Sequence, residues 1–539
     1  MHRTIENMKP TIPFRTPPMR ALRAMAVAAC LWAGACLPLP AQTRAVIPTA
    51  DQVGAACMPD TLAPIRAPFE MPQLTRPVFP DHTRMLTAQE LEQHRLASVA
   101  IQQAIDETSR RGGGTVIVPS GVWNVGRIEL KSRVNLHLSE GAELHFSGRV
   151  EDYLPVVFTR SAGVEGMSLG SFVYACGQED IALTGKGRLI GPGRDCPILK
   201  QNIGYGDFDR YIAYDKPATE RIYDGHDGTA VFLPTFIGPV NCRNVLIEGV
   251  SLERSVFWNI VPTYCDGVII RGVTVNSAGI PTGDGMDIES CCNVLIEYNT
   301  ISAGDDCFTL KAGRGIDGLR VNRPSENIVL RYNLALTGHG GITCGSETAG
   351  VIRNVYAHDC VFQGTDVGLR FKTRRPRGGG GEQLYYERIR MNLHATAIHF
   401  DMLGSSQYVG SLAGRAWVEP DRFTPFYRQV RISDVVVEDA THFLKVSGIP
   451  ESPATDVRIS RATSNSGQLI RIHDMDGLVL EDAELTSPDN TVEISDGRNL
   501  RFERVSFKVD GGRVYRQIDG KLSSHIDFVD CTPEVEAKP

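Results

Sequence analysis

An all-β, right-handed, single-stranded parallel β-helix with an N-terminal capping helix is the fold that this sequence predicts. Three observations lead there. Short segments open on an Asn or similar turn residue followed by an apolar-x-apolar run, at Asp180, Asn244, Gly267, Asn293, Asn327, Asn354, Gln429, Asp456, Gly477 and Asn499. Where the series is unbroken, the starts lie 23, 26, 34 and 27 residues apart, then 27, 21 and 22. A repeat of that length is the mark of a stacked solenoid. Each unit reads as two short β runs and no helix. Finally, 53 glycines beside only 7% aromatic residues suit many turns around an aliphatic core. A β-sandwich is the alternative, but its strands recur about every 8–12 residues without a longer period.

The elements follow in order. Arg15, Arg20 and Arg23 precede the apolar run 24–39, and Pro40-Ala41-Gln42 resembles a cleavage region, so residues 1–42 read as a signal peptide. A membrane anchor is the competing reading, and Cys36 is a weak lipoprotein candidate. Residues 43–95 form an N-terminal extension whose first part, to about 80, is Pro-rich and extended. Residues 96–539 form the β-helix. Ala97, Ala100, Ile101, Ala104 and Ile105 make a helical stripe over 97–108, stopped by Gly112-Gly113-Gly114. This helix is expected to cover the first coil, because an open solenoid end exposes strand edges. The strands TVIVPSG and RIELKSRVNLHLSEGAELHF come next. The 34-residue unit owes its excess to Gly313–Pro324, read as a loop beside the site.

Charge narrows the function. Removing 1–42, with five basic residues and one acidic, moves the formal charge from −7 to −11. A nucleic-acid binder would carry a basic footprint instead. An anionic substrate must therefore meet a local basic patch. Eleven of the 13 cysteines lie beyond the leader. An odd number without close pairs gives no disulfide framework, so they read as small buried apolar residues. No CxxC or HExxH spacing is present, and no metal or cofactor is expected.

The chemistry concentrates in the middle of the chain. Asp284 in TGDGMD, Asp305-Asp306 in AGDDC, His339 in GHGG, and Arg370 with Lys372 in GLRFKT recur at intervals of 21, 33 and 31 residues. One coil of about that length would stack them on one face, about 4.8 Å per coil. Three clustered carboxylates repel, so at least one should titrate high, as glycosidic cleavage requires. Any single Asp in a Gly-rich turn reads equally as a turn former. Gly338, Gly340 and Gly341 allow a ligand close to the backbone at His339. Arg370 and Lys372 suit a carboxylate-bearing sugar. Arg374, Arg375 and Arg377 read as a solvated charged loop.

These motifs together resemble glycoside hydrolase family 28, the polygalacturonases. The family's NTD, DD, GHG and RIK motifs match TGD at 282–284, DD at 305–306, GHG at 338–340 and RFK at 370–372. Thr282-Gly283 replaces Asn-Thr, and Phe371 replaces Ile. The resemblance implies an inverting hydrolase of pectic polysaccharide or oligogalacturonide. Asp305 is the implied general acid, Asp284 and Asp306 activate water, and His339 supports the acid. Arg370 and Lys372, with Gly340 and Lys311, hold the substrate. Inversion goes with a gap of roughly 6.5–9.5 Å between acid and base. Stretches such as LKAGRGIDG and GTDVGLRFKT resemble bacterial, often exo-acting members. The insertion at Gly313–Pro324 and the long lead-in are expected to close the cleft into an exo pocket. A secreted or periplasmic monomer is expected. The alternatives are a rhamnogalacturonan- or side-chain-directed galacturonidase, a lyase using calcium held by the Asp cluster with Arg370 or Lys372 as base, and a non-catalytic glycan-binding β-helix.

Overall fold

The computed structural model describes residues 45–204 and 208–539; the leader read at 1–42 lies outside them. The chain winds into a right-handed parallel β-helix. Each full coil contributes to three sheets, here called I, II and III, so a unit carries three β runs rather than two. Sheet I runs through Val134–Leu138, Glu179–Gly185, Arg243–Glu248, Asp266–Arg271, Cys292–Glu297 and Ser325–Arg331. Sheet II runs through Arg188–Ile190, Ser251–Glu253, Thr274–Asn276 and Thr300–Ser302. Sheet III includes Met286–Glu289 and Phe308–Lys311, in parallel register with 342–344, 367–372 and 396–401.

Stacking explains the core. Val116, Leu136, Leu183, Ile247, Ile270, Ile296 and Leu330 form one inward column of sheet I. All are 0–1% exposed. The recurrent opening residue also has a cause. Asn244, Asn293, Asn327 and Asn354 have φ of 56°, 57°, 56° and 52°, the left-handed conformation that Asn and Gly tolerate best. Their amides then bond coil to coil, with Asn354 donating to Asn327 (3.0 Å) and Asn327 to Asn293 (3.3 Å). Gln383, at φ 53°, opens a coil that its aromatic sequence QLYYER disguises. That coil also carries the excursion 402–425 before its next strand begins at Phe426.

The helix Ser98–Arg110 buries Ala100, Ile101, Ala104 and Ile105 over the first coils, as the stripe predicts. The glycines after it are needed for close approach, since a Cβ on Gly113 would meet the Arg133 carbonyl oxygen at 2.4 Å. Inter-coil pairing begins before residue 96, at Thr83–Met85. The extended lead-in runs along the outside of sheet I. Leu62, Ile65, Leu74 and Phe79 cover Leu246, Ile269, Leu295 and Val329. All eleven cysteines among the described residues are free thiols; Cys291, Cys307, Cys344 and Cys360 are buried, Cys292 partly.

Beneath the lead-in lies a buried ionic ladder. Arg271 is 0% exposed; it bonds Glu297 (2.8 Å) and Glu248 (3.2 Å) and donates to the Pro59 carbonyl (2.7 Å). Arg331 shares Glu297 and donates to the Ala63 and Pro64 carbonyls. Breaking such a buried pair from one side costs about 3–5 kcal/mol. Arg271→Ala should therefore shift the urea unfolding midpoint down sharply and free the lead-in for proteolysis. An unchanged midpoint would show that the ladder is not what holds the lead-in down.

Candidate active site

The parallel register brings the sequence motifs together where sheet II turns into sheet III. Asp284 and Asp306 sit two residues before the paired strand residues Met286 and Phe308. Backbone bonds lock these turns. The Gly285 N–H donates to the Asp306 carbonyl (2.9 Å), and the Cys307 N–H donates to that of Gly340 (2.8 Å). Asn259, fully buried, holds the Asp284 carbonyl through both its backbone N–H (3.0 Å) and its amide (2.9 Å). One oxygen from each of Asp284, Asp305 and Asp306 lies within 4.8 Å of the others. The expected acid–base gap of about 6.5–9.5 Å is therefore not met. Asp284 and the Asp305-Asp306 pair leave adjacent coils at one sheet edge, and the rung spacing, about 4.8 Å, sets the separation between them.

These groups share a cleft of about 340 Å³, whose walls include Trp258, Thr282, Ser346, Arg374, Asp401 and Tyr408. His339 and Asp305 line its open side, their side chains 56% and 25% exposed. Nδ1 of His339 lies 3.5 Å from Asp305, and Nε2 lies 4.0 Å from Asp366. Asp284 and Asp306 are recessed, at 3% and 1% exposure. Arg370 reaches Asp306 (3.3 Å) and Asp401 (3.3 Å), while Lys372 reaches Asp306 (3.5 Å). A larger cleft of about 670 Å³ lies near His145 and Arg254, but of its walls only Asp195 bears a carboxylate, so it has no acid–base pair.

Two expected substrate ligands are engaged with protein carboxylates instead. Gly340 is not in the cleft wall. It makes room for Asp306, because a Cβ there would meet Asp306 Oδ1 at 2.6 Å. Lys311 lines the cleft, but its side chain is only 5% exposed and serves carboxylates: Glu347 at 3.1 Å, Asp287 at 3.4 Å and Asp284 at 3.8 Å. Its ammonium also sits 4.4 Å above the Trp258 ring. Arg374, Arg375 and Arg377 are not solvated, at 4–6% exposure. They are taken up by Ser346, Glu451 and Glu347. Nor does the insertion wall this cleft. It folds into the helix Gly315–Val321 at the far end of the sheet III strand, and Arg314–Ile316 line a neighbouring cavity. The wall comes from the excursion 402–425, through Gly404, Ser405 and Tyr408. The lead-in lies on sheet I and takes no part.

Electrostatics separates the three carboxylates. Burial pushes Asp284 well above the ordinary carboxylate range, Asp287 and Asp305 add repulsion, and Lys311 only partly opposes them. Burial also acts on Asp306, but Lys372, Arg370 and Lys311 outweigh it and hold that carboxyl well below its ordinary value. The expectation that at least one carboxyl titrates high is met at Asp284. The cluster has the spacing of a cation site; Arg370, Lys372 and Lys311 already supply the positive charge that an ion would bring.

The glycosyl hydrolases family 28 profile matches residues 224–406, which contain every motif of the cleft. An exopolygalacturonase from Thermotoga maritima superposes with a TM-score of 0.67 at 30% identity, covering 76% of this chain and 93% of that one. This chain belongs to glycoside hydrolase family 28. It is a glycoside hydrolase. A probable polygalacturonase of Vitis vinifera is 28% identical over 68% of this chain and 71% of its own length. An exo-poly-alpha-D-galacturonosidase of Dickeya chrysanthemi is 26% identical, and the match spans 64% of this chain and 60% of that protein.

Four groups escape the sequence reading: Asp287, Trp258, Asp401 and Tyr408. Asp287 alone carried a signal, since it lies three residues after Asp284, on the strand Met286–Glu289 that follows that turn. The coupling of His339 to Asp305 is directly measurable. Its hydrogen bond to Asp305 raises the imidazole above its ordinary value, against burial. The NMR titration midpoint of His339 should therefore fall in Asp305→Asn. A midpoint that stays put would mean that Asp305 does not face the imidazole in solution.

Proposed function

We propose that this family 28 hydrolase cleaves the α-glycosidic bond to galacturonic acid at the end of a pectic chain, with inversion. The observation that carries the reading is the shared cleft: three carboxylates, an imidazole and the cations Arg370 and Lys372 converge on one small space. The cations suit the sugar's carboxylate. The named relatives include an exo-poly-alpha-D-galacturonosidase and an exopolygalacturonase, which supports a pectic substrate and a chain-end mode. The wall at 404–408 closes one side of the cleft, as a chain-end pocket needs.

Asp305 is the general acid of this scheme, because it is the carboxyl open to a leaving oxygen and has His339 beside it. Asp284 and Asp306 hold the water. Both are recessed beneath the surface, where a water molecule reaches and a sugar ring does not. A covalent glycosyl-enzyme needs a carboxylate in contact with the anomeric carbon, so burial favours direct attack by water. Among the described residues no helix is long and apolar enough to cross a membrane. The signal-peptide pattern read at 1–42 supports an enzyme exported to meet its polymer.

One digest tests the reading. On polygalacturonate the enzyme should release monosaccharide early while viscosity barely falls. Asp305→Asn should lower the rate by about two to four orders of magnitude, since an amide cannot protonate the leaving oxygen. A rapid viscosity drop with mixed oligomers would refute chain-end action, and a near-normal rate in the variant would remove Asp305 as the acid.

A further inference from the structure

Asp287 is a buried carboxylate that the scheme above leaves unused. It lies on the strand Met286–Glu289, 0% exposed, directly beneath the cleft floor. The Asp284 carboxyl is within hydrogen-bonding reach. Among the described residues neither oxygen of Asp287 accepts a hydrogen bond from an N–H or hydroxyl donor, nor does Oδ1 of Asp284. The one cation near both is Lys311, 3.4 Å from Asp287 and 3.8 Å from Asp284.

That single cation is shared. Lys311 lies closer to Glu347, at 3.1 Å, whose second cation is Arg377 at 3.5 Å. The other charged groups facing Asp287 are Glu289 on its own strand and Asp306 on the next coil, and both are acidic. Glu289 has its own cation, Arg160, at 3.5 Å. Asp306 has Arg370 and Lys372. Two ionised carboxylates at 284 and 287 would thus be buried against part of one ammonium, which is strongly unfavourable. One proton between them removes the excess charge and supplies the missing donor, as in other close carboxyl pairs.

Resting on the proposed hydrolysis, we propose that Asp284 and Asp287 hold a single proton between them, and that Asp287, kept un-ionised, is the positioning residue that makes Asp284 the base. Burial raises both carboxyls, Asp284 well above its ordinary value and Asp287 to about 8, so the pair keeps a proton at neutral pH; in the form in which Asp287 carries it, Asp284 is the one left to accept the water's proton. Asp306, gripped by two cations, is too weak a base to compete. In the step itself, the water oxygen bonds to the anomeric carbon and its proton passes to Asp284. The glycosidic bond breaks, and the leaving oxygen takes its proton from Asp305. Solvent then returns a proton to Asp305 and accepts one from Asp284. Asp306 serves as the fixed charge that holds the cations and the water.

Asp287→Asn and Asp287→Ala test this, because an amide imitates the protonated acid and a methyl group does not. Asp287→Asn should keep kcat within about threefold, whereas Asp287→Ala should lose about 10- to 100-fold in kcat with little change in KM. A protonated-carboxyl band in the infrared spectrum of the wild type at neutral pH should vanish in Asp287→Asn. Asp287→Asn as damaged as Asp287→Ala, Asp287→Ala as active as wild type, or no difference band would each overturn the proposal. If Asp287→Ala does not fold, Asp287→Asn and the band still decide. A wild type inactive on galacturonan would sink the function reading alone, since the infrared result does not depend on turnover.

Discussion

Inter-coil hydrogen bonding is the constraint on which everything else in this molecule rests. In the coils that carry the site, parallel pairing places residues 22 to 34 positions apart in sequence on neighbouring rungs, about 4.8 Å apart. In sheet III this register aligns Asp287 with Thr309, and Thr309 with Thr343, Arg370 and His399. A slip of one residue would turn these outward groups into the core and the inward Met286, Phe308, Ile342 and Leu369 toward solvent. The apolar column thus fixes the geometry of the charged one.

The charged column is balanced locally rather than by the net charge. An acidic chain still builds a floor in which Asp306 meets two cations and Asp284 shares one. That asymmetry distinguishes two carboxylates that the motif treats alike. It also explains why Lys311, a plausible substrate ligand from its place in the sequence, is committed to carboxylates instead. Glu347 stays ionised despite full burial because Lys311, Arg377, Arg314 and Arg374 together overcome the burial cost.

Much of this was legible in the sequence. The Asn openings show because the left-handed corner selects residue type, and the site residues show because the coil length carries them to one edge. What was missed was missed for physical reasons. The third run of each unit is short and polar on its outer face, as in MDIE and FTLK, so it lacks an aliphatic signature. The coil at Gln383 presents Tyr386 where its neighbours present Ala357 and Ile432. Arg375 finds Glu451 76 residues away, and a run of arginines shows no such distant partner to a local reading. The pocket wall at Tyr408 belongs to an excursion without periodicity, so nothing in its sequence says which way it folds.

The central claim is that recessed carboxylates direct a water, not themselves, at the anomeric carbon. NMR of the product in the first moments of hydrolysis of an α-linked galacturonide tests it most directly. The account predicts that the newly formed sugar appears first as the β anomer and then mutarotates. An α anomer formed first, or a glycosyl-enzyme trapped on Asp284 or Asp306, would contradict it.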